Sequence, residues 1–130
     1  MIHIPPIPLR IVNWNLEWAT PTSKRGKELI RRIQGEQPEL ACLTETTTDI
    51  LEGNGYTITA DRNYGYPGPE RRRKVLLWSR SPWRDVDNFG SEGLPAGRFI
   101  AGTTDSSIGE VRVLGICIPW RDAHVRNGRL

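Results

Sequence analysis

Two short apolar runs, separated by a basic segment with helical periodicity, constrain the fold of this 130-residue chain more than any other feature. The first run, Leu9–Leu16, and the second, Glu39–Glu45, have the length and composition of buried strands. The segment between them, Lys24–Gln34, places its apolar residues on one stripe, which predicts an amphipathic helix. The order strand, helix, strand favours two parallel strands in one sheet, joined by a right-handed crossover.

Each of these two strands ends in a polar residue that suits a metal or phosphate site, Asn15 in the first and Glu45 in the second. Parallel strands of similar length end at the same edge of a sheet, where ligand sites of open α/β sheets lie. We therefore expect the two side chains to lie side by side. Both strands are apolar on both faces, which predicts a central position in the sheet. Glu17 follows Asn15 closely and either reaches the same pocket or is simply exposed.

Downstream, the pattern changes to shorter apolar runs separated by loops rich in Gly and Pro. The predicted strands of this part are Tyr56–Ala60, Lys74–Arg80, Arg98–Thr103 and Glu110–Ile118. The last two are joined by a short turn near Asp105–Gly109, which suits a hairpin. The whole pattern predicts a single α/β domain over residues 1–130, with a mixed sheet.

The basic residues are clustered, although the net charge of +3 is only a mild bias. Five basic residues fall within Lys24–Arg32, and Arg71, Arg72, Arg73 and Lys74 are consecutive. Such patches attract phosphate-rich partners. A solvated helix face and a charged loop explain the same clusters without any partner.

Several other classes of protein are disfavoured by the sequence. No run of 18 apolar residues is present, so no membrane span is expected. The first residues lack the pattern of a secretory signal, so the expected location is cytoplasmic. Cys42 and Cys117 sit in apolar runs without zinc-type spacing, and we expect two small buried side chains, with a disulfide as the alternative.

Three segments resemble, in order, the opening of the endonuclease/exonuclease/phosphatase superfamily. Trp14-Asn15 matches the end of the first strand of that family. Residues 38–45 match its motif Pro-Asp-Ile/Val-x-x-Leu-Gln-Glu, with Thr44 in place of the usual Gln. Residues 75–82 match Val-x-x-x-Ser-Arg-x-Pro. Each motif alone is weak, and their order and spacing make the resemblance specific.

The resemblance implies an α/β sandwich of two mixed sheets and a hydrolase that cleaves phosphate esters with Mg²⁺ or Mn²⁺. Glu45 would bind the metal, and Asn15 would help to hold the metal and the scissile phosphate. Residues 71–74 would bind or steer the anionic substrate. Nucleases, inositol phosphate phosphatases and sphingomyelinases share these early motifs, and the two basic clusters favour DNA or RNA as the substrate. The alternatives are a surface carboxylate paired with an arginine at Glu45, and an amide that bonds its own turn at Asn15.

Part of the family pattern is missing from the sequence. The histidine expected near Gly115–Trp120 is absent, and the two histidines of the chain are His3 and His124. Neither a Gly-Asp-x-Asn nor a Ser-Asp-His motif occurs. The chain is therefore expected to correspond to the N-terminal half of the family fold and to leave one apolar sheet face uncovered. A non-catalytic module that binds phosphate or nucleic acid is the rival hypothesis.

The five tryptophans add one further expectation. Trp14 and Trp78 lie in predicted strands and are expected in the core. Trp18, Trp83 and Trp120 lie near strand ends or loops, where an indole either packs beneath a loop or stacks on a base.

Overall fold

The computed structural model describes residue 2 and residues 8–119, which form one helix and seven strands. The elements are β1 Ile11–Asn15, α1 Lys24–Gly35, β2 Leu40–Thr47, β3 Tyr56–Thr59, β4 Arg72–Ser79, β5 Arg84–Asp87, β6 Phe99–Ser106 and β7 Gly109–Ile116. Strands in the order β1-β2-β4-β3 form one sheet, and strands in the order β5-β6-β7 form a second. The pair β1–β2 is parallel and the other pairs are antiparallel, so the predicted mixed α/β architecture is confirmed.

At both ends of the helix α1, capping groups form hydrogen bonds with backbone N–H or C=O groups that have no partner within the helix. Ser23 is the N-cap, and its hydroxyl accepts a hydrogen bond from the Gly26 N–H at 2.9 Å. Gly35 is the last residue of the helix, and Glu36 takes the C-cap position. The guanidinium of Arg10 binds both the carbonyl and the carboxylate of Glu36, which holds the cap against the start of β1.

Two apolar layers hold the structure together. The helix covers one face of the four-stranded sheet over a core that includes Leu16, Ile33 and Leu43. The opposite face of that sheet packs against the second sheet through Val75, Leu77 and Ile100. Burying these side chains supplies most of the favourable free energy of folding. Within residues 8–119, no helix has the length and apolarity that crossing a membrane requires.

The first strand is not central, in contrast to the expectation from its apolar composition. β2 pairs with β1 on one side and with β4 on the other, which leaves β1 at the edge of the described sheet. Ile11 is accordingly 59% exposed. Apolar residues on both faces of a strand indicate that layers above and below the sheet cover it. They do not indicate whether the strand has a neighbouring strand on each side.

Strand boundaries differ from the predictions where long-range pairing decides them. β2 continues for two residues beyond Glu45 because Arg72 and Arg73 of β4 pair with Thr47 and Thr46. Arg72 and Arg73, which precede the predicted strand Lys74–Arg80, are therefore part of β4, and Arg71 lies just before it. β5 lacks regular alternation, because Asp85 has a left-handed φ of 52° and the register against β6 shifts between Arg84 and Asp87.

Both cysteines are free and half-buried, so the disulfide alternative is wrong for this structure. Burial raises the pKa of the Cys42 thiol. Leu114 and Ile116 of β7 are exposed by 57% and 49%, and Ile118, which follows the strand, is exposed by 81%. His3, Trp120 and His124 lie outside the described residues.

Candidate active site

The two polar residues singled out at the strand ends meet at one rim of the sheet. The parallel register places Asn15 beside Thr44, the residue before Glu45. The side-chain Nδ2 of Asn15 donates a hydrogen bond to Oε1 of Glu45 at 2.8 Å. Asn15 and Glu45 are therefore neighbours, as the parallel pairing of the two strands predicted. Their catalytic and metal-binding roles stay predictions.

The backbone around this contact is held in an unfavourable conformation. Glu17, Trp18 and Glu45 have φ values of 48°, 65° and 49°, and they are three of the five non-glycine residues with left-handed φ in the described part of the chain. Each such residue costs about 1 kcal/mol or more, and the surrounding structure must compensate. Here the Trp18 N–H donates to the Glu45 carbonyl at 2.8 Å, which locks the two turns together. Strain of this kind concentrates at functional sites.

A lysine from the neighbouring antiparallel strand completes the immediate surroundings of Glu45. The Nζ atom of Lys74 lies 3.4 Å from Oε2 of Glu45, and the two side chains are 15% and 25% exposed. Shielding from water makes this pair stronger than the exposed ion pairs of the surface. Each oxygen of the Glu45 carboxylate thus has one partner, Asn15 on one side and Lys74 on the other.

Aromatic rings and a second cation flank the carboxylate. The rings of Trp18 and Tyr64 stack with centroids 5.7 Å apart and an interplanar angle of 29°. The Arg72 guanidinium lies 4.7 Å from the Trp18 ring centroid, and Lys74 Nζ lies 5.3 Å from the same ring and 5.7 Å from that of Tyr64. All three distances fall within the range of cation–π attraction. We refer to Asn15, Glu45, Lys74, Trp18, Tyr64 and Arg72 together as the Glu45 cluster.

The four consecutive basic residues do not act as one patch, because alternation along β4 separates them. Arg72 and Lys74 join the Glu45 cluster. Arg71 instead pairs with Asp49, at 3.0 Å between Nη1 and Oδ2. Arg73 donates to backbone carbonyls, and burial lowers the pKa of its guanidinium.

The Glu17 side chain turns away from the cluster. Its Oε2 lies 3.3 Å from Nη2 of Arg25, and the side chain is 74% exposed. The backbone N–H of Glu17 donates to Oδ1 of Asn15 at 2.9 Å and so fixes the orientation of that amide. Sequence reasoning missed this backbone role and also the stacking of Tyr64 on Trp18. The signals for Tyr64 were its place in a loop rich in Gly and Pro and the basic run that follows this loop.

The oxygen atoms of the cluster can be compared with the ligands that Mg²⁺, the metal implied by the resemblance, prefers. Mg²⁺ prefers oxygen ligands and is held by one or two carboxylates together with waters. The Glu45 carboxylate keeps unused lone pairs beyond its two contacts, and it reaches solvent at the rim. No group of three or more His, Cys, Asp or Glu side chains that could hold a metal occurs among residues 8–119. The single carboxylate of the cluster is a ligand type that Mg²⁺ accepts, and the binding of Mg²⁺ or Mn²⁺ here stays a prediction.

Comparisons with known proteins bear on the fold. No family model and no curated protein sequence matches the chain significantly. An endonuclease/exonuclease/phosphatase from Beutenbergia cavernae DSM 12333 matches its structure with a TM-score of 0.64 and 18% identity, over 88% of this chain and 39% of that protein. The 3′ phosphatase NExo from Neisseria, bound to a product DNA hairpin, matches with a TM-score of 0.54 and 20% identity, over 84% of this chain and 41% of that protein.

At these identities, the likeness establishes the fold. The agreement covers most of the present chain, and the chain spans about two-fifths of the length of each solved structure. The chain thus has the endonuclease/exonuclease/phosphatase fold over that portion, as the order of its sequence motifs predicted.

Proposed function

We propose that the Glu45 cluster is the metal-binding and phosphate-binding part of a phosphoesterase site that acts on nucleic acid. The observation that carries the proposal is the contact between Asn15 and Glu45 at the strand rim, where one carboxylate is oriented by an amide and left accessible to solvent. The shared fold supports it, and one of the matching proteins was solved with a DNA hairpin product.

Five of the six residues of the cluster have a definite part in this proposal. Glu45 would hold Mg²⁺ or Mn²⁺, and the bound ion would supply positive charge that stabilises the phosphate as its ester bond breaks. Asn15 keeps the carboxylate in one orientation. Arg72 and Lys74 supply donors for phosphate oxygens, which form strong charge-assisted hydrogen bonds.

The half-buried Trp18 presents an indole near those cations, and an aromatic ring beside basic groups suits a base or sugar of a single strand. Among residues 8–119 no histidine is present, and the cluster contains one carboxylate. The group that would activate water is therefore not assigned to any of these residues.

The charged groups of the Glu45 cluster also support a second candidate function, which is binding without catalysis. A site with one carboxylate, two cations and no assigned base suits the binding of a phosphate backbone without turnover. Such a module would bind single-stranded nucleic acid in a manner that weakens steeply with salt and does not require a metal.

Plasmid nicking and oligonucleotide binding by the full chain separate these functions. We expect slow nicking that requires Mg²⁺ or Mn²⁺, stops in EDTA and is lost in Glu45→Gln. Glu28→Gln is a matched control, because Glu28 lies on the surface of α1 and pairs with Arg31. Salt-sensitive binding without metal-dependent nicking would support the binding module instead. A chain that neither cleaves nor binds nucleic acid contradicts both.

A further inference from the structure

We propose that Lys74 is an internal counter-cation of the Glu45 site, which weakens the binding of a divalent ion until a phosphate group is present. This inference rests on the proposed function for the identity of Glu45 as the metal-binding carboxylate. It adds that Lys74 and the metal ion compete for the carboxylate of Glu45. This competition can be measured by metal binding, without any measurement of catalysis.

The position of Lys74 follows from strand pairing. In the antiparallel ladder, Thr44 pairs with Val75 and Thr46 pairs with Arg73, so Glu45 lies across from Lys74. The left-handed φ of 49° at Glu45 interrupts the ladder at this point. The Lys74 ammonium then approaches Oε2 of Glu45 to 3.4 Å, on the side of the carboxylate that Asn15 leaves open.

The ammonium is held in this place by more than its ion pair. It lies 5.3 Å from the Trp18 ring and 5.7 Å from the Tyr64 ring, and the side chain is only 15% exposed. The backbone of Trp18 is in turn bonded to the Glu45 carbonyl. Because the aromatic surface and the carboxylate belong to one locked unit, the ammonium does not leave easily when another cation arrives.

The charges of the cluster point to coupling with an anion. Lys74 and Arg72 supply two positive charges near the single negative charge of Glu45. A divalent ion at Glu45 must displace the ammonium from Oε2 or bind beside it, and both alternatives are unfavourable. A phosphate group offers the displaced ammonium a new partner and also compensates the added charge. Metal and phosphate should therefore bind cooperatively, and the coupling should be reciprocal.

Binding of Mn²⁺ to the full 130-residue chain, followed by electron paramagnetic resonance, tests the competition. Lys74→Met removes the charge and keeps the unbranched side chain, and we expect it to tighten Mn²⁺ binding about tenfold. Lys74→Arg keeps the charge and should bind Mn²⁺ about as weakly as the wild type. Lys27→Met, on the exposed face of α1, is the matched control and should not change the affinity.

Addition of inorganic phosphate tests the coupling. We expect phosphate to tighten Mn²⁺ binding in the wild type and to have a smaller effect in Lys74→Met. Circular dichroism establishes that each variant is folded, and Lys74→Gln replaces Lys74→Met if the latter does not fold.

The outcomes separate this inference from the proposed function. If Glu45→Gln abolishes Mn²⁺ binding while Lys74→Met leaves it unchanged or weaker, the counter-cation role is wrong and the metal site stands. If no form of the chain binds Mn²⁺, the proposed metal site is wrong and this inference falls with it.

Discussion

The amide of Asn15 joins two segments that are 30 residues apart, because its Nδ2 donates to Oε1 of Glu45 at 2.8 Å. Its Oδ1 accepts the Glu17 N–H at 2.9 Å, so both ends of the amide are engaged. This arrangement directs the nitrogen of Asn15 at the carboxylate and leaves its oxygen on the backbone of the turn. The geometry therefore favours a positioning role, in which Asn15 would act on the proposed ion through Glu45.

Removing that amide should weaken metal binding without unfolding the chain. We expect Asn15→Ala to lower the affinity for Mn²⁺ by about 10- to 100-fold, as is usual when a residue that orients a ligand is lost. Asn54→Ala is the control, since Asn54 is an exposed amide that donates to the carbonyl of Glu52. The measurement is a Mn²⁺ titration, and equal affinities in all three proteins would show that Asn15 does not orient Glu45.

A buried hydroxyl pair connects the two sheets, and its loss should destabilise the fold. Ser79 Oγ of β4 and Thr104 Oγ1 of β6 lie 2.9 Å apart, and Thr104 also reaches the carbonyls of Ser81 and Pro82. Thr104→Val keeps the shape and removes the hydroxyl that contacts Ser79 Oγ and the two carbonyls, while Ser79 Oγ still accepts the Ser81 N–H. We expect the free energy of unfolding in urea to fall by about 1–3 kcal/mol.

The matched control for that variant is Thr57→Val, at an exposed position of β3. Its free energy of unfolding should change by no more than about 0.5 kcal/mol. If Thr104→Val proved no more destabilising than this control, the hydroxyl network would not hold the sheets together.

Stability should depend on pH through Glu39, which connects the start of β2 to the β6–β7 turn. Its carboxylate accepts hydrogen bonds from the Ser107 N–H at 2.8 Å and from the Ser107 hydroxyl at 2.6 Å. The bond from the Ser107 hydroxyl, in particular, lowers the pKa of Glu39 below its usual 4.5. The folded state thus favours the charged form, and this contribution is complete above pH 4.5 and is lost as the pH falls through the lower folded pKa.

We expect Glu39→Gln to lower the free energy of unfolding at pH 7 by about 0.5–1 kcal/mol, a small effect because the contact is near solvent. The difference from the wild type should shrink at pH 3. Urea unfolding at the two pH values measures it, with Glu52→Gln as an exposed control. A difference that is the same at both pH values would contradict the assignment.

Close packing between the sheets should make the fold sensitive to substitution of Gly115. A Cβ atom at Gly115 would lie 2.7 Å from Cγ1 of Val75 and 3.0 Å from Cδ2 of Leu77. We expect Gly115→Ala to destabilise the chain by about 1–3 kcal/mol, because the sheets must separate to admit the methyl group.

Gly35 provides the opposite case. It is the last residue of α1, and a Cβ atom there would have no neighbour within 4 Å. Gly35→Ala should therefore be neutral or stabilise the helix by up to about 1 kcal/mol. Urea unfolding of both variants compares them, and equal effects would show that contact between the sheets is not the cause.

The sequence by itself determined the β1-α1-β2 unit and the meeting of Asn15 with Glu45. These follow from local periodicity and from the handedness of the crossover, which do not depend on the rest of the chain. The family motifs along residues 14–82 predicted the fold for the same reason, since they mark strand ends.

Tertiary structure alone decided which groups surround Glu45. The sequence grouped Lys74 with Arg71 and Arg73, whereas the register of β4 against β2 turns Lys74 to the carboxylate and Arg73 away from it. A shift of one residue would reverse those faces, and no local pattern specifies the register between distant strands. The stacking of Tyr64 on Trp18, the edge position of β1 and the left-handed backbone of Glu45 likewise arise only when segments far apart in the chain pack together.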